Sequence, residues 1–233
     1  MTTAIIVPCR NEAGAIQNLL KSILSKLKAG DEIIVVEGGS YDATWDIVSK
    51  FASKHHEVTA LQQGGKGKFD AVLTGINSTK QEMVLIWDAD GTVSFADNLK
   101  IYDFERDYNY LITGDRLRGT REKGAMQFAN LLGNWFFAIF WGVLLKRGPI
   151  DSLCGTKKFQ RDLLSKSPAW LIDSDPYGDF AMLGTALFEE IRVYSIPVDY
   201  SARKYGKTNI HRWSGGLTLL NLILRIFKHG IRP

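Results

Sequence analysis

No segment of the chain is apolar for long enough to cross a lipid bilayer. The two most apolar segments, residues 135–145 and 217–227, fall well short of the roughly 20 residues that a membrane-spanning helix needs. The N-terminus also lacks the basic region and the apolar core of a secretory signal peptide. The two cysteines, Cys9 and Cys154, form no metal-binding or disulfide pattern. These absences favour a reducing, cytoplasmic location.

Proline is scarce, with 6 residues in a chain of 233, and the sequence contains no internal repeat or low-complexity tract that we can find. This composition argues against a disordered scaffold and against a string of small domains. With 45% hydrophobic residues, the chain has enough apolar side chains for a substantial core. We expect one main domain over residues 1–210, followed by a basic amphipathic helix over residues 211–233.

Acidic residues are absent from the C-terminal residues 200–233. A basic block on a mildly acidic body indicates an anionic partner, such as phosphate groups, a lipid surface or nucleic acid; the alternative is a solvated basic tail. Nucleic acid is the least favoured partner, because Tyr205 and Trp213 do not form an array on which bases would stack. The basic residues of the block are Arg203, Lys204, Lys207, Arg212, Arg225, Lys228 and Arg232.

Short apolar runs alternate with segments of helical periodicity along the first half of the chain. Strands are predicted at "TAIIVP", "EIIVV", "VTAL" and "MVLIW", and helices over residues 11–27, 43–52 and 66–77. This alternation predicts an α/β fold with a parallel sheet covered on both faces by helices. A strand at "YLIT", a long apolar helix and a strand-like "IRVYSIPVDY" follow, which we interpret as an elaboration of the same domain.

Each predicted strand is followed by a polar segment. These segments read "PCRNE", "EGGSYD", "QQGGKGK" and "DADGT" in chain order. In open α/β sheets, ligands bind at the carboxyl ends of the strands, near the point where the strand order reverses. The sequence therefore predicts a binding site at this edge of the sheet.

Asp88 and Asp90 follow the fourth predicted strand, with one residue between them. If Gly91 allows the chain to turn, both carboxylates face one site, and such oxygen ligands suit Mg²⁺ or Mn²⁺ carrying a diphosphate. The alternative is that both are ordinary turn or helix-cap aspartates. The pattern alone does not decide between these interpretations.

The glycine-rich "GGKGK", residues 64–68, precedes a predicted helix and is suited to binding phosphates through its amides and through Lys66 or Lys68. It is not a Walker loop, since Phe69 stands where that motif has Ser or Thr. No strand leads into a G-x-G-x-x-G segment either. Both common nucleotide-binding motifs are therefore disfavoured.

The ordered series of motifs resembles the family 2 glycosyltransferases of GT-A fold, and most nearly the branch of dolichol-phosphate mannose synthases and polyprenyl-phosphate glycosyltransferases. The resemblance covers residues 4–209 and rests on "VPCRNE", "VVEGGSYDAT", "GGKGKFDAVLTGI", "WDADG", "GDRLRG", "GAMQFANLLGN", "DSLCGTKKF" and "IPVDYSARKYGKTN". It implies a Rossmann-like, mostly parallel sheet flanked by helices, with amphipathic helices at a membrane interface.

The resemblance also implies the residues that bind the nucleotide sugar. Glu37 stands where the family usually has the first aspartate of V-D-D-G-S, and Gly38 replaces the second, whereas Ser40, Asp42 and Thr44 keep the rest of that motif. The residues expected at the nucleotide sugar are Pro8, Arg10, Glu12, Glu37, Gly39, Lys66 and Asp88. Arg10 occupies a position that is often aromatic in the family.

By the same resemblance, Asp88 and Asp90 bind the cation, and Thr92 lies where the mannose synthases often have a third, amide-bearing ligand. Arg116 and Arg203, with Lys207 beside the latter, are implied to bind phosphates of the donor or the acceptor. A guanidinium fork suits phosphate oxygens. The residues implied to act in catalysis are Asp90, Arg116, Asp179 and Arg203.

Asp151 and Gly155 match the family's D-x-x-x-G segment near the acceptor, and Asp179 lies near an acidic position close to the sugar. With a hydroxyl acceptor, such a residue would be the general base. A lipid phosphate is already an anion, so a base is then less necessary. An orienting or structural role for Asp179 is the favoured alternative.

Two apolar helices carry polar stripes. Thr218, Asn221, Arg225 and Lys228 share one face of a leucine-rich segment, which suits a membrane interface with cations near lipid headgroups. A stripe of Gln127, Asn130 and Asn134 opens the other helix, where residues 135–137 and Trp141 are compatible with interfacial anchoring. The alternative is that both helices pack on the sheet or on a second subunit of a homo-oligomer.

The resemblance, together with these residues, therefore implies a metal-dependent, inverting glycosyltransferase attached peripherally to the cytoplasmic face of a membrane. It would use Mg²⁺ or Mn²⁺ to transfer a sugar from a nucleoside-diphosphate donor, such as GDP-mannose or a UDP-sugar, to a polyprenyl phosphate. The alternatives are a soluble family 2 transferase with a glycan or small hydroxyl acceptor, and a GT-A-like binding module without catalysis. Nucleic acid is not an expected partner.

Overall fold

The computed structural model describes residues 1–106, 109–203 and 212–230. The strands are β1 (Thr3–Cys9), β2 (Glu32–Glu37), β3 (Val58–Gln62), β4 (Met83–Ile86), β5 (Tyr110–Asp115), β6 (Lys157–Gln160) and β7 (Arg192–Pro197). The helices are α1 (Ile16–Leu24), α2 (Thr44–Ala52), α3 (Lys68–Ser78), α4 (Phe95–Asp103), α5 (Phe128–Leu144), α6 (Ala169–Ser174), α7 (Asp179–Phe188) and α8 (Arg212–Gly230). A 3₁₀ helix spans Leu163–Lys166.

All seven strands form one sheet in the order β3-β2-β1-β4-β6-β5-β7. β1 pairs in parallel with β2 and β4, and β2 pairs in parallel with β3. β6 runs antiparallel to both β4 and β5, while β5 and β7 are again parallel. The chain moves outward from β1 to β3 and then returns to the other side of β1, so the strand order reverses between β1 and β4. The predicted α/β class is confirmed.

The sheet separates two hydrophobic cores. Along β1, Ile6 packs into one core and Ile5 into the other, because successive side chains of a strand point to opposite faces. Helices α3, α5, α7 and α8 supply the first core, and α1, α2 and α4 supply the second. Burial on both faces explains why the parallel strands read as nearly continuous apolar runs rather than as alternating ones.

Two helices begin later than the periodicity predicts. The helix predicted from residue 11 begins at Ile16, because Asn11 has a positive φ of 57° and the residues that follow β1 form a loop. The helix predicted from residue 66 begins at Lys68, after Gly67 with φ of 89°. In both cases, polar residues at the sheet edge belong to the loops that follow the strands rather than to helix.

Two neighbouring lysines of β6 are buried, which the apolar pattern of the other strands does not lead one to expect. Lys157 and Lys158 are 0% and 2% exposed and point to opposite faces of the sheet. The Lys158 ammonium donates to the carbonyl oxygens of Tyr102 and Phe104, at 2.5 and 2.9 Å, and so satisfies the C-terminal end of α4. Burial lowers the pKa of Lys158 to about 8.

The prediction that Trp141 anchors the protein at an interface is wrong. Trp141 is fully buried, and its ring meets that of Phe180 edge-on at 5.3 Å inside the first core. Asn134, from the predicted polar stripe of this helix, is also buried and donates to the sulfur of Met126. The face of α5 that carries these residues packs on the body of the protein.

Helix α8 has three distinct faces. One face is buried against the body and includes Leu222 and Ile226. A second face carries the predicted polar stripe, in which Thr218, Asn221 and Lys228 are exposed. The third is apolar and exposed. Among the described helices, none combines the length and the apolar character needed to span a bilayer.

Candidate functional site

The loops that follow β1, β2 and β3 are tied together at the predicted edge of the sheet. The Gly38 N–H donates to the Cys9 carbonyl at 2.9 Å, and the Gln63 N–H donates to the Glu37 carbonyl at 3.0 Å. These hydrogen bonds continue the strand pairing past the ends of the strands. They hold the loops after the three strands side by side, as the sheet topology requires.

The "SYDAT" segment after β2 positions the "RNE" segment after β1. The backbone N–H groups of Asn11 and Glu12 donate to Ser40 Oγ and Thr44 Oγ1, each at 2.9 Å. Asp42 accepts from Thr44 Oγ1 at 2.5 Å and from the Ala13 N–H at 3.2 Å. These hydrogen bonds outweigh desolvation and lower the pKa of Asp42. Ser40, Asp42 and Thr44 therefore hold the first loop in place.

The residues expected to bind the nucleotide differ in their exposure. Arg10, Gly39 and Lys66 are exposed, and Pro8 is half-buried at the end of β1. Glu37 is 2% exposed, and its Oε1 accepts from the Ser40 N–H at 2.5 Å. All of them lie on the loops or strand ends of the same sheet edge. Their contacts with a nucleotide remain a prediction.

Asp90 belongs to a turn as well as to the predicted metal motif. Its Oδ1 accepts from the Thr92 N–H at 3.0 Å and from Thr92 Oγ1 at 2.8 Å, and Gly91 has a positive φ of 64°. Thr92 is buried, and its hydroxyl donates to Asp90. This turn leaves Asp90 Oδ2 to face the site. Turn and metal interpretations are therefore compatible for Asp90.

A cationic side chain of the protein contacts each carboxylate of the motif. Lys68 Nζ forms an ion pair with Asp88 Oδ1. Arg203 Nη2 donates to Asp90 Oδ2 at 2.7 Å, and its Nη1 lies 3.6 Å from Glu12 Oε1. The structure thus brings together Glu12, Asp88, Asp90 and Arg203, which sequence analysis assigned to the nucleotide sugar, the cation or phosphate groups. Lys68, which was named only as an alternative to Lys66, joins them.

Glu12 lies beneath this cluster. It is 4% exposed, and its Oε2 has no hydrogen-bond partner among the described residues. Burial raises the pKa of Glu12 to about 7; Arg203 opposes this shift, whereas Asp90, Asp42 and Asp88 add to it. Glu12 is therefore a buried carboxyl group with a pKa near neutrality, and its Oε1 lies 3.6 Å from Arg203 Nη1.

Backbone pairing positions Arg203. The Tyr200 N–H donates to the Thr120 carbonyl at 2.8 Å, and the Ser201 N–H donates to the Thr92 carbonyl at 2.8 Å. Glu122 Oε2 accepts from the Ala202 N–H at 2.9 Å. The segment that carries Arg203 is thereby attached to the turn that carries Asp90. Lys207 lies outside the described residues, so its predicted phosphate contact stays a prediction.

Arg116 forms a bidentate ion pair with Asp151. Its Nε and Nη2 donate to the two carboxylate oxygens at 2.7 and 2.8 Å, and its backbone N–H donates at 3.0 Å. Burial would lower the pKa of Arg116, but Asp151 outweighs it and holds that pKa well above its usual value. Only 11% of the Arg116 side chain is exposed. The pair joins the end of β5 to the segment before β6, and its predicted contact with phosphate remains a prediction.

Asp179, the first residue of α7, forms an ion pair with Lys157, which sequence analysis did not single out. The Lys157 ammonium is fully buried and also donates to the carbonyl oxygens of Ser152, at 3.1 Å, and Cys154. The Asp179 side chain keeps 13% exposure. The sequence carried no signal for this role, because the strand that contains Lys157 reads KKFQ and has no apolar pattern from which a buried lysine would stand out.

The donor set fits a divalent cation that arrives with a diphosphate. Asp88 and Asp90 supply two oxygen donors, as Mg²⁺ and Mn²⁺ prefer, and phosphate oxygens and water would complete the coordination. Within the described part of the chain, no group of three or more His, Cys, Asp and Glu side chains is arranged to hold a metal ion. Because the described residues offer only these two ligands, phosphate oxygens and water would have to fill most coordination positions of the cation.

Solved structures confirm the architecture. Mannosyl-3-phosphoglycerate synthase from Rubrobacter xylanophilus superposes with a TM-score of 0.67 at 16% identity, over 98% of this chain and 74% of that one. Glucosyl-3-phosphoglycerate synthase from Mycobacterium tuberculosis, in complex with Mn²⁺, UDP-glucose and phosphoglyceric acid, gives 0.66 at 17% identity, over 97% and 79%. At these identities, the likeness shows the shared GT-A fold alone.

Sequence comparison gives the family. The human dolichyl-phosphate beta-glucosyltransferase is 28% identical over 219 residues, which cover 85% of this chain and 67% of that protein. The Trichomonas vaginalis dolichyl-phosphate beta-glucosyltransferase ALG5C is 28% identical over 225 residues, 85% of this chain and 64% of that protein. The chain thus spans about two thirds of these relatives. The profile described as glycosyl transferase family 2 matches residues 4–161. The chain belongs to the family 2 glycosyltransferases.

Proposed function

We propose that the chain transfers a hexose from a nucleoside-diphosphate sugar to a polyprenyl phosphate. The observation that carries the proposal is the cluster of Asp88, Asp90, Lys68 and Arg203 at the strand-end crevice of a family 2 chain. Two carboxylates and two cations suit a metal-bound diphosphate. The relatives named above are dolichyl-phosphate beta-glucosyltransferases, so UDP-glucose is the first donor to test and GDP-mannose the second.

In the proposed reaction, Asp88 and Asp90 would hold the divalent cation, which neutralises negative charge on the departing diphosphate. Arg203, anchored beside Asp90, would place a guanidinium near the same phosphate oxygens. An acceptor phosphate oxygen would form the new bond to the anomeric carbon as the bond to the diphosphate breaks on the opposite side. A single displacement of this kind inverts the anomeric configuration.

The surroundings of Asp179 favour a phosphate acceptor over a hydroxyl acceptor. A hydroxyl must lose a proton to a general base during transfer, whereas a phosphate oxygen already carries charge. Asp179 is ion-paired with the fully buried Lys157, which occupies its carboxylate with a cation and fixes its position. We therefore assign Asp179 an orienting role rather than that of a base.

We further propose that α5 and α8 present an apolar surface to the lipid bilayer in which the acceptor resides. On α5, the exposed apolar side chains recur every three or four residues, and on α8 they do the same. Phe140 of α5 and Phe227 of α8 have ring centroids 6.3 Å apart, so the helices are neighbours. The surface consists of Phe128, Leu132, Phe136, Ile139 and Val143 on α5 and of Leu217, Leu220, Leu224 and Phe227 on α8.

Several features of this surface suit a lipid interface. The apolar side chains lie at helical spacing with exposed polar residues beside them, as in helices that lie in the plane of a membrane. Lys228, at the last turn of α8, is exposed and would meet anionic headgroups. A second copy of the chain is the competing occupant. Attachment at the cytoplasmic face follows from the proposal, since sugar nucleotides are the donors.

The proposal is tested by incubating the protein with a radiolabelled donor, Mn²⁺ or Mg²⁺, and vesicles that contain a polyprenyl phosphate, followed by extraction into organic solvent. UDP-glucose, GDP-mannose and other sugar nucleotides are compared, and Asp90→Ala serves as the inactive control. Label in the organic phase that depends on the lipid phosphate supports the proposal. Label that instead appears on an added glycan or small alcohol would establish the hydroxyl-acceptor alternative, and no transfer from any donor would indicate a binding module.

A further inference from the structure

Lys68 occupies a central position in the charge arrangement of the site. As the first residue of α3, it extends to Asp88 Oδ1, with 34% of its side chain exposed. The ammonium thus directly contacts one carboxylate of the proposed metal site.

Gly155 explains why this pair can form where it does. A Cβ atom at residue 155 would overlap both Lys68 Nζ and Asp88 Oδ2. The backbone at Gly155 thus lies directly against the ion pair. The main chain at Gly155 blocks movement of the Lys68 ammonium on that side. If Lys68 leaves Asp88 for another partner, its ammonium must therefore move toward the solvent-exposed side of the site.

A metal ion and Lys68 require the same carboxylate. An ammonium group has three donors and no acceptor, so it cannot become a ligand itself. A divalent cation at Asp88 would stand next to this positive charge, and like charges at such a separation repel. A metal ion that binds without nucleotide must therefore displace Lys68 or tolerate the repulsion.

A diphosphate reverses this conflict. Its oxygens accept hydrogen bonds from an ammonium and coordinate a divalent cation at the same time. Once they are present, Lys68 gains a second anionic partner beside Asp88. The same lysine then weakens metal binding in the absence of nucleotide and strengthens it in the nucleotide complex.

We propose that Lys68 couples the binding of the metal to the binding of the nucleotide, by holding Asp88 in the absence of nucleotide and by contacting the diphosphate in its presence. The inference rests on the metal and nucleotide sites of the proposed function and makes no use of the acceptor. By linkage, the factor by which nucleotide tightens metal binding equals the factor by which metal tightens nucleotide binding. Removal of Lys68 should lower both factors equally.

The test measures Mn²⁺ binding by electron paramagnetic resonance of the unbound ion, with and without UDP, and then with GDP, for the whole chain. Lys68→Met should bind Mn²⁺ more tightly than wild type in the absence of nucleotide and less tightly in its presence, so that the coupling factor falls by about tenfold, which corresponds to one modest charge interaction. Lys80→Met is the matched control, since it removes the same charge from an exposed position beyond the other end of α3.

The proposal is overturned if Lys68→Met binds Mn²⁺ as wild type does with and without nucleotide, if it binds the bare ion more weakly, or if wild type binds Mn²⁺ under neither condition. Thermal unfolding checks that the variant is folded, and Lys68→Gln replaces it if it is not. The outcome is separable from the transfer assay. Failure to label lipid in that assay would refute the acceptor, whereas the Mn²⁺ titrations would still decide the coupling.

Discussion

The buried ion pair between Lys157 and Asp179 provides a sharp test of how the site is supported. Lys157→Met removes the ammonium while keeping a flexible side chain of similar length. It leaves the Asp179 carboxylate without its cation and takes a donor from the carbonyl oxygens of Ser152 and Cys154. Asp179→Asn is the complementary change, after which the Lys157 ammonium still has both carbonyl acceptors.

The magnitude follows from burial. Removal of one partner of a buried ion pair costs about 3–5 kcal/mol, because the other charge is left without compensation. The Asp179 side chain is 13% exposed, so water relieves part of the penalty and we expect about 3 kcal/mol for Lys157→Met. Asp179→Asn should cost at least as much, about 3–5 kcal/mol, because the Lys157 ammonium that remains is fully buried and keeps only neutral carbonyl acceptors. The double variant should lose less than the sum, with a coupling of about 1–3 kcal/mol.

Urea unfolding of the four proteins, followed by circular dichroism, gives the free energies of unfolding for this double-mutant cycle. A shift in the midpoint without a change in the slope would show that stability alone has changed. Additivity of the two single changes within about 0.5 kcal/mol would refute the assignment, because groups that form an ion pair in a buried site cannot be removed independently. A Lys157→Met loss below about 1 kcal/mol would do the same.

Three further predictions concern other parts of the molecule. Gly155→Ala should weaken UDP binding in the presence of Mn²⁺ at least about tenfold, as measured by calorimetry, because the new Cβ overlaps the Lys68–Asp88 pair; unchanged affinity would contradict this. The pKa of Lys158 is about 8 in the folded chain and about 10.4 when unfolded, so the unfolded chain binds more protons between these values. The free energy of unfolding of wild type, relative to Lys158→Met, should therefore rise by about 2 kcal/mol from pH 7 to 9.5; a flat or falling difference in urea unfolding would contradict the assignment. Phe136→Ser with Leu224→Ser, exposed by 54% and 63%, should reduce co-sedimentation with anionic vesicles about tenfold or more, whereas undiminished binding or the loss of a dimer instead would refute a lipid-facing surface.

Much of the fold follows from local sequence. The runs that became β1, β2 and β4 are apolar and rich in β-branched residues, and their length and flanking polar loops identify them as strands buried on both faces. The position of the site follows as well, since polar segments after parallel strands must meet at one edge. The order of eight motifs identified the family. The predicted starts of α1 and α3 were wrong, because the helical periodicity continues into the loops that precede these helices.

Other features depend on contacts between residues far apart in the sequence. The antiparallel strand β6 is short and contains two lysines, so its composition does not indicate a place at the centre of a sheet. Trp141 was assigned to an interface on residue type, yet the rotation of α5 about its axis buries it against Phe180. Helical spacing identifies faces of a helix but not the partner that each face meets.

The sequence by itself determined the class of fold, the edge of the sheet that carries the candidate site and the residue types available there, because these depend on periodicity and chain order. Only the tertiary structure decided which charges meet. Lys68 with Asp88, Arg203 with Asp90, Arg116 with Asp151 and Lys157 with Asp179 are separated by 20 to 113 residues along the chain. Electrostatic partners are selected by distances of a few ångströms in the folded state, and no local pattern in the sequence encodes such distances.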